Sequence, residues 1–301
     1  MAGHAAPRPR RPIGVTVVVA AVLVVLAAAV TAGLVLSGGR TPAAPSPPRP
    51  RPRSNEVGAA AATSSPTTTA TTRPPALAGK VVGIDPGHDG GNFTTPTAIN
   101  RLVWNGREQE TCDTTGTETD GGYTEAQYNF DVAQYLAADL TAEGAKVVMT
   151  RTSNTGVGPC VTTRAQIIND AHADVAIDIH ADGGPPTGRG FAVLEPVADG
   201  PNDDVIAPSE AFGSDVRTAF LSTGMPISTY DGTDGVVYRD DLAGLNLTTV
   251  PKVLIECGNM RNATDAAQLV TPAFQQAAAA ALASAITAFL AGTPPPATAP
   301  R

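Results

Sequence analysis

The 301-residue chain carries 20 Lys+Arg against 28 Asp+Glu, a formal net charge of −8, and is 42% hydrophobic but only 4% aromatic. Residues 1–78 hold eight Arg and one acid, Glu56, which leaves 12 bases against 27 acids in the remainder. So acidic a folded part excludes nucleic acid as a partner, because phosphate binding needs a basic face, and three Cys without a CxxC pair exclude both a disulfide-rich scaffold and a cysteine zinc site.

Ile13 to Leu36 is an uncharged apolar run of 24 residues behind Arg8, Arg10 and Arg11. At about 1.5 Å per residue it is long enough to cross a bilayer core of about 30 Å. Two readings stay open for residues 1–36: an uncleaved membrane anchor, or a secretory signal cut after the small residues Val30-Thr31-Ala32. Arginines on both sides of the run leave its orientation unsettled. Residues 37–78, rich in Pro, Ala, Thr and Ser, lack the apolar side chains that would offset ordering entropy, so a disordered spacer is expected there. The tail 293–301 has the same character. Residues 79–292 remain for one folded domain.

Within that domain, Val- and Ile-rich runs predict strands at Lys80–Asp85, Lys146–Thr150, Asp174–His180, Gly190–Glu195, Val236–Arg239 and Pro251–Cys257. Between them, Glu125, Asn129, Val132, Leu136 and Leu140 recur at spacings of 4, 3, 4 and 4, which predicts a helix over Glu125–Glu143. Thr124 with Gln127 reads as its capping box and Gly144 as its stop. Further helices are expected from Thr163 through His172, over Ser209–Thr223, and over Pro272–Ala291 behind a Thr271 cap. Strands alternating with helices indicate an α/β fold: a largely parallel twisted sheet of about six strands, covered by helices on both faces. Chemistry in such folds sits beyond the carboxyl ends of the strands.

That rule selects four residues. His88 follows the first strand, His180 and Glu256 close two later ones, and Glu125 opens the long helix on its apolar face. Taken singly, each has an ordinary role as turn residue, solvated strand end or dipole-matched first-turn acid. Together, two imidazoles and a carboxylate suit a catalytic zinc with an open position, and the remaining carboxylate suits a general base and acid. Only four His occur in the chain, and these two finish the strands that look most buried.

At this point the domain resembles the zinc-dependent N-acetylmuramoyl-L-alanine amidases, which cut stem peptides from peptidoglycan. Four segments match in order over roughly 80–291: Val82-Gly83-Ile84-Asp85-Pro86-Gly87-His88; Thr124-Glu125 through Asn129, Ala133, Leu136 and Leu140 to Gly144 and Thr150-Arg151; Ile179-His180-Ala181-Asp182; and Pro251-Lys252-Val253-Leu254-Ile255-Glu256-Cys257-Gly258-Asn259 with Asn262. The resemblance implies that His88, Glu125 and His180 hold one zinc ion and that Glu256 is the catalytic glutamate. It implies a cell-wall hydrolase acting outside the cytoplasm on peptidoglycan, expected to be a monomer that touches the membrane only through residues 13–36 if these are retained. A zinc peptidase cutting within the stem, or a wall-binding protein without catalysis, are the alternatives. Arg164 falls where the family has an arginine and is expected to anchor helix to sheet.

Three departures accompany the match. The interval between His88 and Glu125 is 36 residues long and contains the only Trp, Trp104; a loop with one hairpin is expected there, contacting substrate or merely decorating the edge. Gly-Asn-Met follows at 258–260. Asp178 shares the strand face of His180 by the period of two, and either orients a neighbour or is an ordinary solvated acid. Cys112 and Cys160 are a candidate bridge outside the cytoplasm, and Cys257, alternating away from Glu256, is expected to be a small buried hydrophobe.

Overall fold

The computed structural model describes residues 75–292. The expected membrane segment, nearly all of the expected spacer and the expected tail lie outside the described residues. The last four spacer positions do not: Leu77 is 1% exposed, packs into the main core and donates its N–H to the Glu143 carbonyl at 2.9 Å. One large aliphatic side chain in a Pro/Ala-rich stretch is enough to dock it.

Six strands form the central sheet: β1 (Val81–Pro86), β4 (Lys146–Met149), β5 (Val175–Asp182), β6 (Ala192–Pro196), β7 (Val236–Arg239) and β8 (Lys252–Asn259). A separate antiparallel hairpin, β2 (Leu102–Trp104) with β3 (Gln109–Thr111), lies in the long interval after β1, as expected. The sheet order is β4-β1-β5-β8-β6-β7. β4, β1, β5 and β8 run parallel, whereas β6 is antiparallel to β8 and carries β7 with it. The helices are α1 (Pro96–Ile99), α2 (Glu125–Ala142), α3 (Val161–Asp170), α4 (Ile206–Phe220), α5 (Ala243–Asn246), α6 (Ala263–Leu269) and α7 (Pro272–Leu290).

Strand alternation sorts the two faces. Ile177, Ile179 and Ala181 of β5 and Val253, Ile255 and Cys257 of β8 join the main core under α2, α4 and α7. That core includes Tyr128, Leu136, Leu140, Phe212, Leu282 and Ile286, all fully buried, and each such side chain contributes about 1.5–3 kcal/mol by leaving water. Among the described residues α7 is the helix long and apolar enough to cross a bilayer, yet it spends that apolar surface on this core. The opposite face receives Ala176, Asp178 and His180 of β5 and Leu254 and Glu256 of β8, covered by α3 and α5. The site therefore grows out of the second, thinner layer.

The caps explain where the helices start. Thr124 accepts the Gln127 N–H at 3.3 Å and Thr271 accepts the Phe274 N–H at 3.3 Å. The Thr124 box is one-sided, because Gln127 Oε1 accepts from Asn154 Nδ2 at 2.8 Å instead of from the cap N–H. Gly144, at φ +91°, stops α2 in the left-handed region that glycine adopts without strain. The expected start of α3 at Thr163 is corrected: the helix begins at Val161 with Cys160 as N-cap and no side-chain cap bond, and it ends at Asp170. Cys160, that N-cap, is bridged to Cys112, and the Val161 N–H donates to the Cys112 carbonyl at 2.7 Å. β5 and β8 also run past His180 and Glu256, to Asp182 and Asn259, with a register shift between His180 and Asp182.

Candidate metal centre

Pro86 and Gly87 end β1 in a turn whose three carbonyls are all held. Arg151 donates to the Pro86 oxygen at 2.8 Å and to the Gly87 oxygen at 3.1 Å, and Arg164 donates to the Pro86 and His88 oxygens, each at 2.8 Å. Asn129 adds a bond to Gly87 at 3.2 Å. These contacts hold His88 at φ +59°, a conformation that a non-glycine residue keeps only when its surroundings impose it. Arg164 does anchor helix to sheet, and what it anchors is the ligand turn.

Glu125, the first residue of α2, is 5% exposed and reaches over the sheet edge. Its Oε1 lies 2.8 Å from His180 Nδ1 and 3.1 Å from His88 Nε2, while its Oε2 accepts the Thr117 N–H at 2.9 Å. The two imidazoles stand 4.8 Å apart, nearly perpendicular at 84°. One donor atom from each of His88, Glu125 and His180 falls within 4.8 Å of the others. Gly116, at φ +70°, walls the cluster; a Cβ there would sit 2.6 Å from His88 Cδ2 and 2.7 Å from Glu125 Oε2. On the sheet side, a Cβ at Gly87 would fall onto the His180 ring. Glycine at these two positions lets backbone come close to the donors.

The charges are tuned by the same packing. Burial works against ionisation of Glu125, but the two histidines outweigh it and hold the carboxyl well below its usual range. Burial likewise opposes a charged His88, yet Glu125 and Asp113 outweigh it and push the imidazole up to about 10, so a metal bound at Nε2 has to displace a proton there. Burial dominates at His180, whose pKa is lowered, so this ring is neutral and has the form that a metal ligand needs. Two nitrogens and a carboxylate oxygen fit a zinc ion of the two-histidine, one-carboxylate type with a position left open.

Glu256 is the direct cross-strand partner of His180. Its Oε2 is buried without a hydrogen-bond partner, and burial together with Glu125 and Asp182 raises its carboxyl well above the usual range. A buried acceptor left open beside a donor cluster, with a raised pKa, marks a candidate for function. The structure thus brings all four sequence-selected residues to one place.

Asp178 is not a solvated acid; the neighbour it meets is Lys252. It is 5% exposed and pairs with Lys252 Nζ at 3.1 Å. Lys252, 1% exposed, also meets Asp85 at 3.2 Å, and Asp85 in turn binds Arg164 at 2.9 Å. This buried ion network borders a cavity of about 140 Å³ beside both histidines, lined in part by Asp178, Glu110, Val161, Leu242 and Leu254. Sequence reasoning missed Lys252, which sits at a strand start where a lysine is normally exposed. Cys257 is fully buried, as expected.

The long interval is stitched to the site. Cys112 and Cys160 form a disulfide across 48 residues, a loop whose closure is worth about 4 kcal/mol on the chain-entropy model. Trp104, on β2, is 55% exposed.

An α/β sheet presenting two histidines, a bridging carboxylate and an unpartnered glutamate at one edge has the parts of a metal-assisted hydrolase. Residues 82–288 match the family model described as N-acetylmuramoyl-L-alanine amidase. The chain is 38% identical over 222 residues to the N-acetylmuramoyl-L-alanine amidase Rv3717 of Mycobacterium tuberculosis, covering 72% of this chain and 89% of that protein. The amidase Ami1 of Mycobacterium smegmatis superposes with a TM-score of 0.68 at 40% identity, over 72% of this chain and 99% of Ami1. The apo form of Ami1 from Mycobacterium abscessus gives 0.67 at 40% identity, over 71% of this chain and all (100%) of the other. The chain belongs to the N-acetylmuramoyl-L-alanine amidase family.

Proposed function

We propose that this cell-wall hydrolase is zinc-dependent and cleaves the amide between the lactyl group of N-acetylmuramic acid and L-alanine of the peptidoglycan stem. His88 through Nε2, His180 through Nδ1 and Glu125 would hold the ion. The observation that carries the reading is the unpartnered Glu256 Oε2 directly across from His180 in a site whose other three donors already face one another.

When bound, zinc supplies Lewis-acid polarisation of the amide carbonyl and acidifies water. The chain's own residues do the rest. Glu256 takes a proton from the attacking water and returns it to the departing alanine nitrogen, so that a poor leaving group leaves as a neutral amine. Burial and the negative neighbours Glu125 and Asp182 keep Glu256 basic enough for both transfers. The Gly116 backbone lies against the His88 ring and Glu125, with no room for a side chain between them.

Residues 79–292 serve as the catalytic domain, joined by the 37–78 spacer to the 13–36 segment, which either anchors it outside the cytoplasm or is removed on export. The domain acts as a monomer on wall polymer within reach of its tether. Incubation with purified sacculi, followed by mass spectrometry, is expected to show new free N-terminal alanine on intact stems. Chelation abolishes that signal and zinc restores it. Cleavage inside the stem, or no zinc dependence, would refute the proposal.

A further inference from the structure

The ring nitrogen of His88 that points away from Glu125 has partners of its own. Nδ1 lies 3.2 Å from the Thr114 carbonyl oxygen and 3.1 Å from Thr114 Oγ1. A proton on Nδ1, donated to Thr114, leaves Nε2 free to ligate; a metal-binding histidine is commonly fixed this way by the group behind it. Thr114 is itself placed by Asp113, whose Oδ1 accepts the Thr114 N–H at 2.7 Å and lies 3.7 Å from His88 Nδ1. The other Asp113 oxygen accepts from Arg164 at 3.0 Å, and the same Arg164 nitrogen donates to the His88 carbonyl at 2.8 Å. Asp113 is 3% exposed and Arg164 3%. One guanidinium therefore grips both ends of the arrangement, the ligand's backbone and the acid behind its ring.

The covalent frame points the same way. Asp113 follows Cys112, which is bridged to Cys160, and the Cys112 carbonyl accepts the Val161 N–H at 2.7 Å. Arg164 stands one turn into the helix that Cys160 opens. Asn92, fully buried, donates to the Thr114 oxygen at 2.7 Å and accepts the Gly158 N–H at 2.8 Å, tying the same two segments again.

Building on the zinc reading above, we propose that Asp113 is the positioning residue for the metal site: through Thr114 it sets the ring of His88, and Arg164 with the Cys112–Cys160 bridge holds it in place. It is not one of the three donors that face one another. This residue belongs to the long interval, so the segment that departs from the family's usual length carries a share of the site's geometry.

Zinc affinity of the full chain, measured by competition with a chromophoric chelator, tests the proposal. Asp113→Ala removes the acceptor and is expected to bind zinc about 10- to 100-fold more weakly. Asp113→Asn keeps an acceptor for the Thr114 N–H and is expected to recover most of the loss. Visible absorption of the cobalt-substituted chain, which reports ligand geometry, shifts in the alanine variant and returns in the asparagine one; a purely structural role moves neither. If the alanine variant does not fold, Asp113→Glu, which keeps the charge but displaces the acceptor, is expected to weaken zinc in its stead. Unchanged affinity in whichever of these two variants folds overturns the proposal, as does an asparagine variant as weak as the alanine one. An unsubstituted chain that binds no zinc overturns the metal reading itself, and this inference with it.

Discussion

His180 and Glu256 face each other as register partners on the adjacent parallel strands β5 and β8, on the same face of the sheet. The donor proposed to hold the metal and the carboxylate proposed to move the proton are thereby set side by side by backbone pairing rather than by loop conformation. Replacing Glu256 with Gln keeps shape and volume but removes the proton acceptor. Glu256→Gln is expected to retain stoichiometric zinc by elemental analysis and to lose about 10²- to 10⁴-fold in turnover on sacculi. Wild-type turnover in the variant would show that another group moves the proton.

The acid limb of the pH profile should belong to Glu256. Burial, Glu125 and Asp182 all raise its pKa, so kcat/KM is low while the carboxyl is protonated and rises with pH as it ionises, above the ordinary carboxylate range. Asp182→Asn removes one of the three negative neighbours, Glu125, Asp182 and Asp231, and is expected to move this limb to lower pH. Rate measurements on a soluble muramyl peptide across the acid range check the direction; a limb that stays put assigns it elsewhere.

Lys252 answers two buried acids, at 3.2 Å to Asp85 and 3.1 Å to Asp178. Lys252→Met leaves the buried Asp85 carboxylate without one of its two cations and is expected to cost about 3–5 kcal/mol in denaturant unfolding. Asp178 behaves differently from Asp85. Burial and the neighbouring Asp85 raise its pKa well above the usual value. Its contribution to stability is complete below the unfolded-state carboxyl pKa and is lost as pH rises through the folded one. Asp178→Asn, a mimic of the protonated acid, should flatten that decline without lowering stability at neutral pH; an equal loss to that of Lys252→Met would refute the protonated state.

Gly87 backs the His180 ring, with no room for a side-chain carbon between them. Gly87→Ala is expected to turn the imidazole away from Glu125 and abolish zinc retention after reloading, while the thermal transition of the metal-free chain changes little. Stoichiometric zinc in the variant would mean that the turn yields instead of the ring.

The local sequence determined a good deal here. Val- and Ile-rich runs marked all six sheet strands, because the inner strands β1, β5, β8 and β6 are buried on both faces and the edge strands β4 and β7 still bury part of theirs. The 3.6-residue period marked α2, and Thr124, Gly144 and Thr271 marked helix ends, because capping and left-handed termini are short-range chemistry. His88, His180 and Glu256 were legible because polar residues at or just beyond the carboxyl end of an apolar run stand out from it, although β5 and β8 continue past His180 and Glu256. Short helices such as α6 were not legible, since seven residues carry too little periodicity to stand above their neighbours.

Only the tertiary structure decided what lies behind those residues. Lys252 meets Asp85 across 167 positions, and Asp113 meets Arg164 across 51. The reversal of β6 and β7 is likewise a choice of pairing, made between strands whose own sequences suit either direction. Composition and period report what a segment needs locally, namely burial, a cap or a turn. Which buried charge meets which, and which acid steadies which imidazole, depends on the three-dimensional neighbours that folding supplies, and no local pattern encodes them.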